Sequence, residues 1–193
     1  AEITPSYVEH LDLCLACRGC ESACPSGVPY GRLIEAARAE IEARVERPWH
    51  VRLLRRFVFG HLLVSRGWLK FAGALLYLYQ ASGLQQLVRG SGLLKLAGKL
   101  GRIEKLAPEA EAPFFFSQIG RVFPAKGEKR KRVAFLAGCL ANVTSARLNE
   151  ATVRVLQENG CEVAVPEEQT CCGALHVHSG LKEQARELAR RNI

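Results

Sequence analysis

The chain of 193 residues contains no methionine. It opens on Ala1-Glu2-Ile3 and stops at Arg190-Arg191-Asn192-Ile193 inside a helical pattern, so it is expected to be a piece of a longer protein. No secretory leader pattern is visible. A P-loop and a dinucleotide fingerprint are both missing, which leaves no recognisable place for a flavin or nicotinamide on this chain. Nucleic acid is excluded as a partner, because there is neither a nucleic-acid motif nor a set of aromatic stacking platforms. Long apolar runs are missing too. The longest uncharged stretch, Phe71 to Val88, is interrupted by Gln80, Ser82, Gln85 and Gln86 and falls at the lower edge of what would span a bilayer, so no transmembrane segment is expected. Acidic residues are scarce in one region: from Arg47 to Lys105 only Glu104 stands against Arg52, Arg55, Arg56, Arg66, Lys70, Arg89, Lys95, Lys99 and Arg102. This segment carries much of the formal charge of +8 and favours an anionic partner.

Cysteine is the residue present in excess, with eight in all. Their clustering argues for metal ligation in a reducing compartment and against a secreted disulfide framework. Four fall in Cys14-Leu15-Ala16-Cys17-Arg18-Gly19-Cys20-Glu21-Ser22-Ala23-Cys24-Pro25, which matches in full the C-x2-C-x2-C-x3-C-P run that holds cubane [4Fe-4S] clusters in bacterial ferredoxins. Three thiolates at that spacing can curl round one face of a cluster with backbone N–H groups turned toward its sulfurs. In two-cluster ferredoxins the fourth cysteine ligates the other cluster. A second such run is absent, so Cys14, Cys17 and Cys20 lack a visible fourth ligand and Cys24 lacks its companions. The alternatives are a zinc knot or a disulfide pair, although structural zinc sites usually split their ligands into two distant pairs.

Along the chain, residues 1–13 read as a lead-in helix. Gly31 to Arg47 forms the clearest helix, with Leu33, Ile34, Ala37, Ile41 and Val45 on one face, Glu40 paired with Arg44, and Pro48 as its stop. Four segments are expected: 1–48, the second half of a helical ferredoxin-type domain; 49–106, a basic helical connector broken near Gly60, Gly67, Gly73, Gly83 and Gly90 to Gly92; 107–131, an aperiodic linker with three prolines; and 132–193, an α/β region. The connector's mix of Arg and apolar residues admits two readings, a helix packed on protein or one lying on an anionic membrane surface. In the last segment Val133 to Ala137 and Cys161 to Val165 read as strands flanking a helix marked by Leu148, Ala151, Val155 and Leu156. Together they predict a parallel βαβ unit at the start of a doubly wound sheet. Cys139 then lies past the end of the first strand and Cys171-Cys172 past the second, at the edge where open α/β sheets place their sites. Cys161 reads as a buried free thiol, and His176 and His178 as surface or capping histidines.

Cys139 and Cys171-Cys172-Gly173 form a C-x31-C-C-G arrangement. With EHLDLCLACRGCESACPSGVPY, NEATVRVLQENG and EQTCCGALHVHSG, it resembles the cysteine-rich CCG family, which includes heterodisulfide reductase catalytic subunits and the iron–sulfur subunits of bacterial glycolate and lactate oxidising complexes. The glycolate oxidase iron–sulfur subunits share the order of parts. The resemblance implies an α+β multidomain protein: a helical ferredoxin-like domain with two [4Fe-4S] clusters in the intact protein, a helical connector and a CCG domain. A first cysteine run would precede this one and a second CCG domain would follow. The implied role is an electron-transfer subunit beside an FAD-containing oxidase subunit, delivering electrons to a membrane acceptor such as quinone. Its implied place is the cytoplasm or, peripherally, the inner membrane face. Cys139, Cys171 and Cys172 are candidates for a further cluster, with a vicinal dithiol or a packed turn as alternatives. A heterodisulfide reductase-like subunit doing thiol/disulfide chemistry at the CCG site is the competing function.

Overall fold

A computed structural model describes residues 3–92, 94 and 98–193. The chain forms two compact units, one made of the residues up to Phe59 together with Cys172–Ile193, the other of Gly60–Cys171.

In the first unit, α1 (Pro5–Leu13) starts on Thr4, whose hydroxyl accepts from the Tyr7 N–H, with proline in the first turn where its missing donor costs nothing. Cys14 caps its end in an extended conformation and turns the chain into a short loop before α2 (Gly19–Ala23). The long helix α3 (Tyr30–Arg44) buries Gly31, Ile34 and Ile41, a spacing of three and seven that puts them on one stripe. The expected Glu40–Arg44 pair is present at 2.8 Å. Leu33, by contrast, is 52% exposed and off the buried stripe. The helix closes at Arg44, three residues before the expected Arg47, with Val45 extended. Beyond Pro48 comes α4 (Trp49–Phe57), which continues into a single π-helical turn, Val58–Leu62.

The second unit begins within that turn. Ser65 caps α5 (Arg66–Ala81), accepting from the Trp68 N–H, and α6 (Leu84–Gly90) and α7 (Lys99–Lys105) follow. Of the expected helix breaks, Gly83 is one, in the left-handed region at φ 79°. Gly67 and Gly73 instead lie inside α5. Gly73 is there for close packing, since a Cβ would come within 2.9 Å of Val143. Lys95, one of the basic residues of this segment, lies outside the described residues.

The sheet is small and mixed. β2 (Lys131–Ala134) and β3 (Cys161–Ala164) pair in parallel around α9 (Ala146–Glu158), as the βαβ pattern predicts. The purely parallel sheet is corrected by β1 (Val122–Phe123), which pairs antiparallel with β3 and makes the order β1-β3-β2. That strand comes from the stretch expected as a linker, which also sends Phe115 (1% exposed) into the core beside Val153, Val163 and Val165. The helix face differs as well. Ala146, Asn149 and Val153 point inward from α9, whereas Leu148 and Val155 are 66% and 59% exposed. A short α8 (Ala141–Thr144) precedes it, and Asn159 and Gly160 close it as read. After Cys171 the chain rejoins the first unit as α10 (Ala174–His178) and α11 (Lys182–Asn192).

Candidate cysteine-cluster site

The four-cysteine run sits in the first unit between the end of α1 and the start of α3. Cys14 and Cys24 are half-buried, and Cys17 and Cys20 are exposed. Two non-glycine residues, Ala16 (φ 52°) and Arg18 (φ 59°), hold left-handed backbone between the cysteines. Such strain clusters at ligand clamps because the surrounding structure must enforce it. Here it curls the loop so that amides face sulfur: the Ala16 N–H donates to Cys14 Sγ at 3.4 Å. Cys24 is cradled more completely. Hydrogen bonds from the Val28 and Ser26 amides, helped by Gly27, hold its thiol pKa below the ordinary value against the opposing cost of burial. This is an anion nest of the kind that suits a thiolate.

Three side chains that the sequence does not flag brace this loop. Glu21 accepts from the Gly31 N–H at 2.5 Å and from Arg18 Nε at 2.8 Å, so α2 is tied to the first turn of α3 and the Glu21 carboxyl is held below its usual range, first by the amide and then by Arg18. A Cβ at Gly31 would lie 2.8 Å from Arg18 Nε, so a larger residue there would displace the Arg18 side chain. Tyr30 has its hydroxyl pKa raised, mostly by burial and then by the charges of Cys14 and Cys20. Arg38 donates from α3 to the carbonyls of Leu11, Cys14 and His178.

Among the described residues no three Cys, His, Asp or Glu side chains converge on a single metal ion. A lone zinc would need its sulfurs about 2.3 Å from one point. The exposed, amide-lined cysteine loop suits a larger body that thiolates surround, and Cys14, Cys17, Cys20 and Cys24 fit a cluster in that sense.

The second cysteine group lies at the sheet edge of the other unit. Cys139 Sγ and Cys171 Sγ stand 3.5 Å apart, Cys171 being 2% exposed. Cys172 is exposed, and with it the chain passes to the other unit. Buried Gln169 holds the loops: its Oε1 accepts from the Ala137 N–H at 2.8 Å and its Nε2 donates to the Pro166 carbonyl at 2.9 Å. From the other side Asn149 donates to the Ala137 carbonyl at 3.0 Å, and Asn142 to that of Gly138. A cavity of about 20 Å³, bordered by Cys139, Asn142, Thr170, Cys171 and the apolar Leu69 and Phe116, adjoins the pair. It has room for a water-sized group. The sheet edge thus unites two of the three CCG cysteines as thiols.

Of the two histidines read as surface or capping groups, His178 keeps a partly exposed side chain in the last turn of α10, whereas His176 is not at the surface. His176 is fully buried, its Nε2 2.9 Å from the Phe59 carbonyl in the π-helical turn, and His178 Nδ1 lies 3.3 Å from Glu35 Oε1. Cys161 is half-buried against the sheet core.

These features define a cysteine-rich iron–sulfur protein class, and comparison with known proteins agrees. Residues 133–193 match the model of the cysteine-rich (CCG) domain, and residues 50–107 match that of the glycolate oxidase iron–sulfur subunit, linker region. The probable glycolate oxidase iron–sulfur subunit of Bacillus subtilis is 42% identical over 95% of this chain and 41% of its own length. The glycolate oxidase iron–sulfur subunit of Escherichia coli is 32% identical over 100% of this chain and 41% of its own length. Lactate utilization protein A of an Exiguobacterium species is 39% identical over 32% of this chain and 25% of its own length. No solved structure matches significantly. The chain is thus similar to glycolate oxidase iron–sulfur subunits along its length and spans about two-fifths of the length of the two relatives that it matches end to end.

Proposed function

We propose that this chain is part of an iron–sulfur electron-transfer subunit of a flavin-dependent complex that oxidises a 2-hydroxy acid, glycolate by its relatives' names. The amide-lined Cys14–Cys24 loop carries the reading. Cys14, Cys17 and Cys20 would hold one [4Fe-4S] cluster and Cys24 would serve its neighbour, with the remaining ligands on parts of the protein beyond this chain. When bound, the clusters supply one-electron conduction. The chain's own residues fix the cysteine loop, through Glu21 at the α2–α3 junction, and the amides around Cys24 favour the thiolate of that residue. An FAD-containing oxidase subunit would deliver the electrons and a membrane acceptor such as quinone would take them.

Peripheral membrane contact, from the cytoplasmic side of the inner membrane, is supported by α4. Trp49, Leu53 and Leu54 are 71%, 62% and 62% exposed, with Arg52 and Arg56 also exposed beside them. Arg55 turns inward to Glu42 (2.9 Å) and the Ser179 carbonyl (3.0 Å), and in the other unit Arg66 donates to the Glu167 carbonyl. Among the described residues no helix is long and apolar enough to cross a membrane.

The test is anaerobic addition of glycolate to the full-length protein with and without its flavoprotein partner. The paramagnetic signal of reduced clusters should grow only with the partner present. Reduction by glycolate without the flavoprotein, or none with it, would contradict the proposal.

The Cys139–Cys171 pair favours a second reading for that domain, thiol/disulfide chemistry like that of heterodisulfide reductases, because two sulfurs 3.5 Å apart can be joined by a small movement. Diamide oxidation followed by peptide mapping would decide it. A reversible Cys139–Cys171 disulfide is expected if the pair is redox-active, and full retention of both free thiols would rule it out.

A further inference from the structure

A further tie between the cysteine loop and the helical scaffold comes from a residue outside the motif. Arg38 projects from α3 and spends four of its five N–H donors on carbonyls. Its Nε and Nη2 reach Leu11 O at 3.2 and 2.8 Å, Nη2 also reaches Cys14 O, and Nη1 reaches His178 O at 2.7 Å. Leu11 and Cys14 belong to the last turn and cap of α1, whose carbonyls have no partners within the helix and form the negative end of its dipole. His178 is the last residue of α10, so the same guanidinium also serves a second helix end. One planar cation thus neutralises two helix C-termini and grips the backbone of the first cysteine directly. A lysine could match the charge but not the fork, having three donors on a single atom.

Resting on the cluster reading above, we propose that Arg38 is a positioning residue for the cluster held by Cys14, Cys17 and Cys20: it fixes the Cys14 backbone and keeps a permanent positive charge beside the cluster, which raises its reduction potential. A cluster gains one negative charge when it takes an electron, so a fixed cation nearby stabilises the reduced form. The charges of Cys14, Cys20 and Arg38 all bear on Tyr30, which places the four within electrostatic reach of one another.

The experiment is a redox titration followed by electron paramagnetic resonance, with iron and sulfide counted, on full-length wild-type protein, Arg38→Gln and Arg38→Lys. Circular dichroism checks that each is folded. Arg38→Gln should cut the reduced-to-oxidised ratio of one cluster about tenfold at a fixed potential, a midpoint about 59 mV more negative for a one-electron couple. Arg38→Lys should keep the wild-type midpoint but lose iron faster under chelator, because it keeps the charge without the fork. If Arg38→Gln folds but loads no cluster while Arg38→Lys loads one at the wild-type midpoint, the positioning role stands. If both variants hold iron as firmly as wild type and titrate at its midpoint, the inference fails while the cluster reading survives. A wild-type protein without iron or sulfide would sink both.

Discussion

Replacing Gln169 tests how the CCG sheet edge is held together. The residue is 7% exposed and Ala137, whose N–H it accepts, is 2% exposed, so bulk solvent reaches neither group. Gln169→Leu keeps the volume but leaves the Ala137 N–H without an acceptor and the Pro166 carbonyl without its donor. An orphaned buried amide costs about 1–3 kcal/mol and the lost bond ~1 kcal/mol, while the added apolar burial returns roughly 1 kcal/mol, so a net loss of about 2 kcal/mol is expected. Gln169→Glu should be worse at neutral pH, because a carboxylate would face the Pro166 and Phe135 carbonyls, the second of which Gln169 Nε2 meets at 3.5 Å. Burial and those carbonyls favour the neutral acid, so the folded pKa of this variant lies above the unfolded one. Its deficit therefore shrinks as pH falls toward the unfolded carboxyl pKa of about 4.3, where a protonated acid can donate to Pro166. Urea unfolding monitored by circular dichroism at pH 7.5 and pH 5 gives both numbers. The reasoning is refuted if Gln169→Leu unfolds within ~0.5 kcal/mol of wild type, the ordinary range for surface changes, or if the Glu variant's deficit is unchanged between the two pH values.

Other outcomes follow from the same geometry. Gly180→Ala should destabilise the first unit by more than the roughly 1–2 kcal/mol of a left-handed alanine, because φ is +84° and its Cβ would also meet the Arg38 carbonyl; thermal melts would show it. Protection of the Gly31 amide from hydrogen exchange should persist from neutral pH down to the ordinary carboxylate range. It should then fall as pH drops through the lowered pKa of Glu21, since a depressed acid contributes only while ionised; in Glu21→Gln that step should vanish. Co-sedimentation of the full-length protein with anionic vesicles should weaken in salt and drop with paired Arg52→Glu and Arg56→Glu changes, each arginine near the surface counting for about 1 kcal/mol. Equal binding to neutral vesicles would refute the electrostatic anchor.

Local patterns in the chain carried much of this architecture. The βαβ unit was readable because Val133 and Val163 sit in short apolar runs on either side of a capped helix, and the Glu40–Arg44 pair because it is an i,i+4 spacing. What escaped was set by tertiary contact. Phe115 and the two-residue β1 lie in a proline-bearing stretch without periodicity, and only pairing with β3 makes Val122 and Phe123 a strand. Leu148 and Val155 fit a helical stripe as well as Ala146 and Val153 do, and the sheet chose the smaller residues for its face. At the candidate site the cysteines announce themselves by spacing. Glu21, Arg38 and Gln169 do not, because each works through a backbone group that no sequence pattern names.

The central claim is that Cys14, Cys17 and Cys20 hold one cluster. Its most direct measurement is the iron and sulfide content of full-length Cys17→Ser beside wild type, with spin quantitation after dithionite reduction. The account predicts the loss of one cluster's iron and signal with the α/β unit still folded, because the sheet makes no use of that thiolate. A variant that keeps the full wild-type iron content and every reducible signal would contradict it.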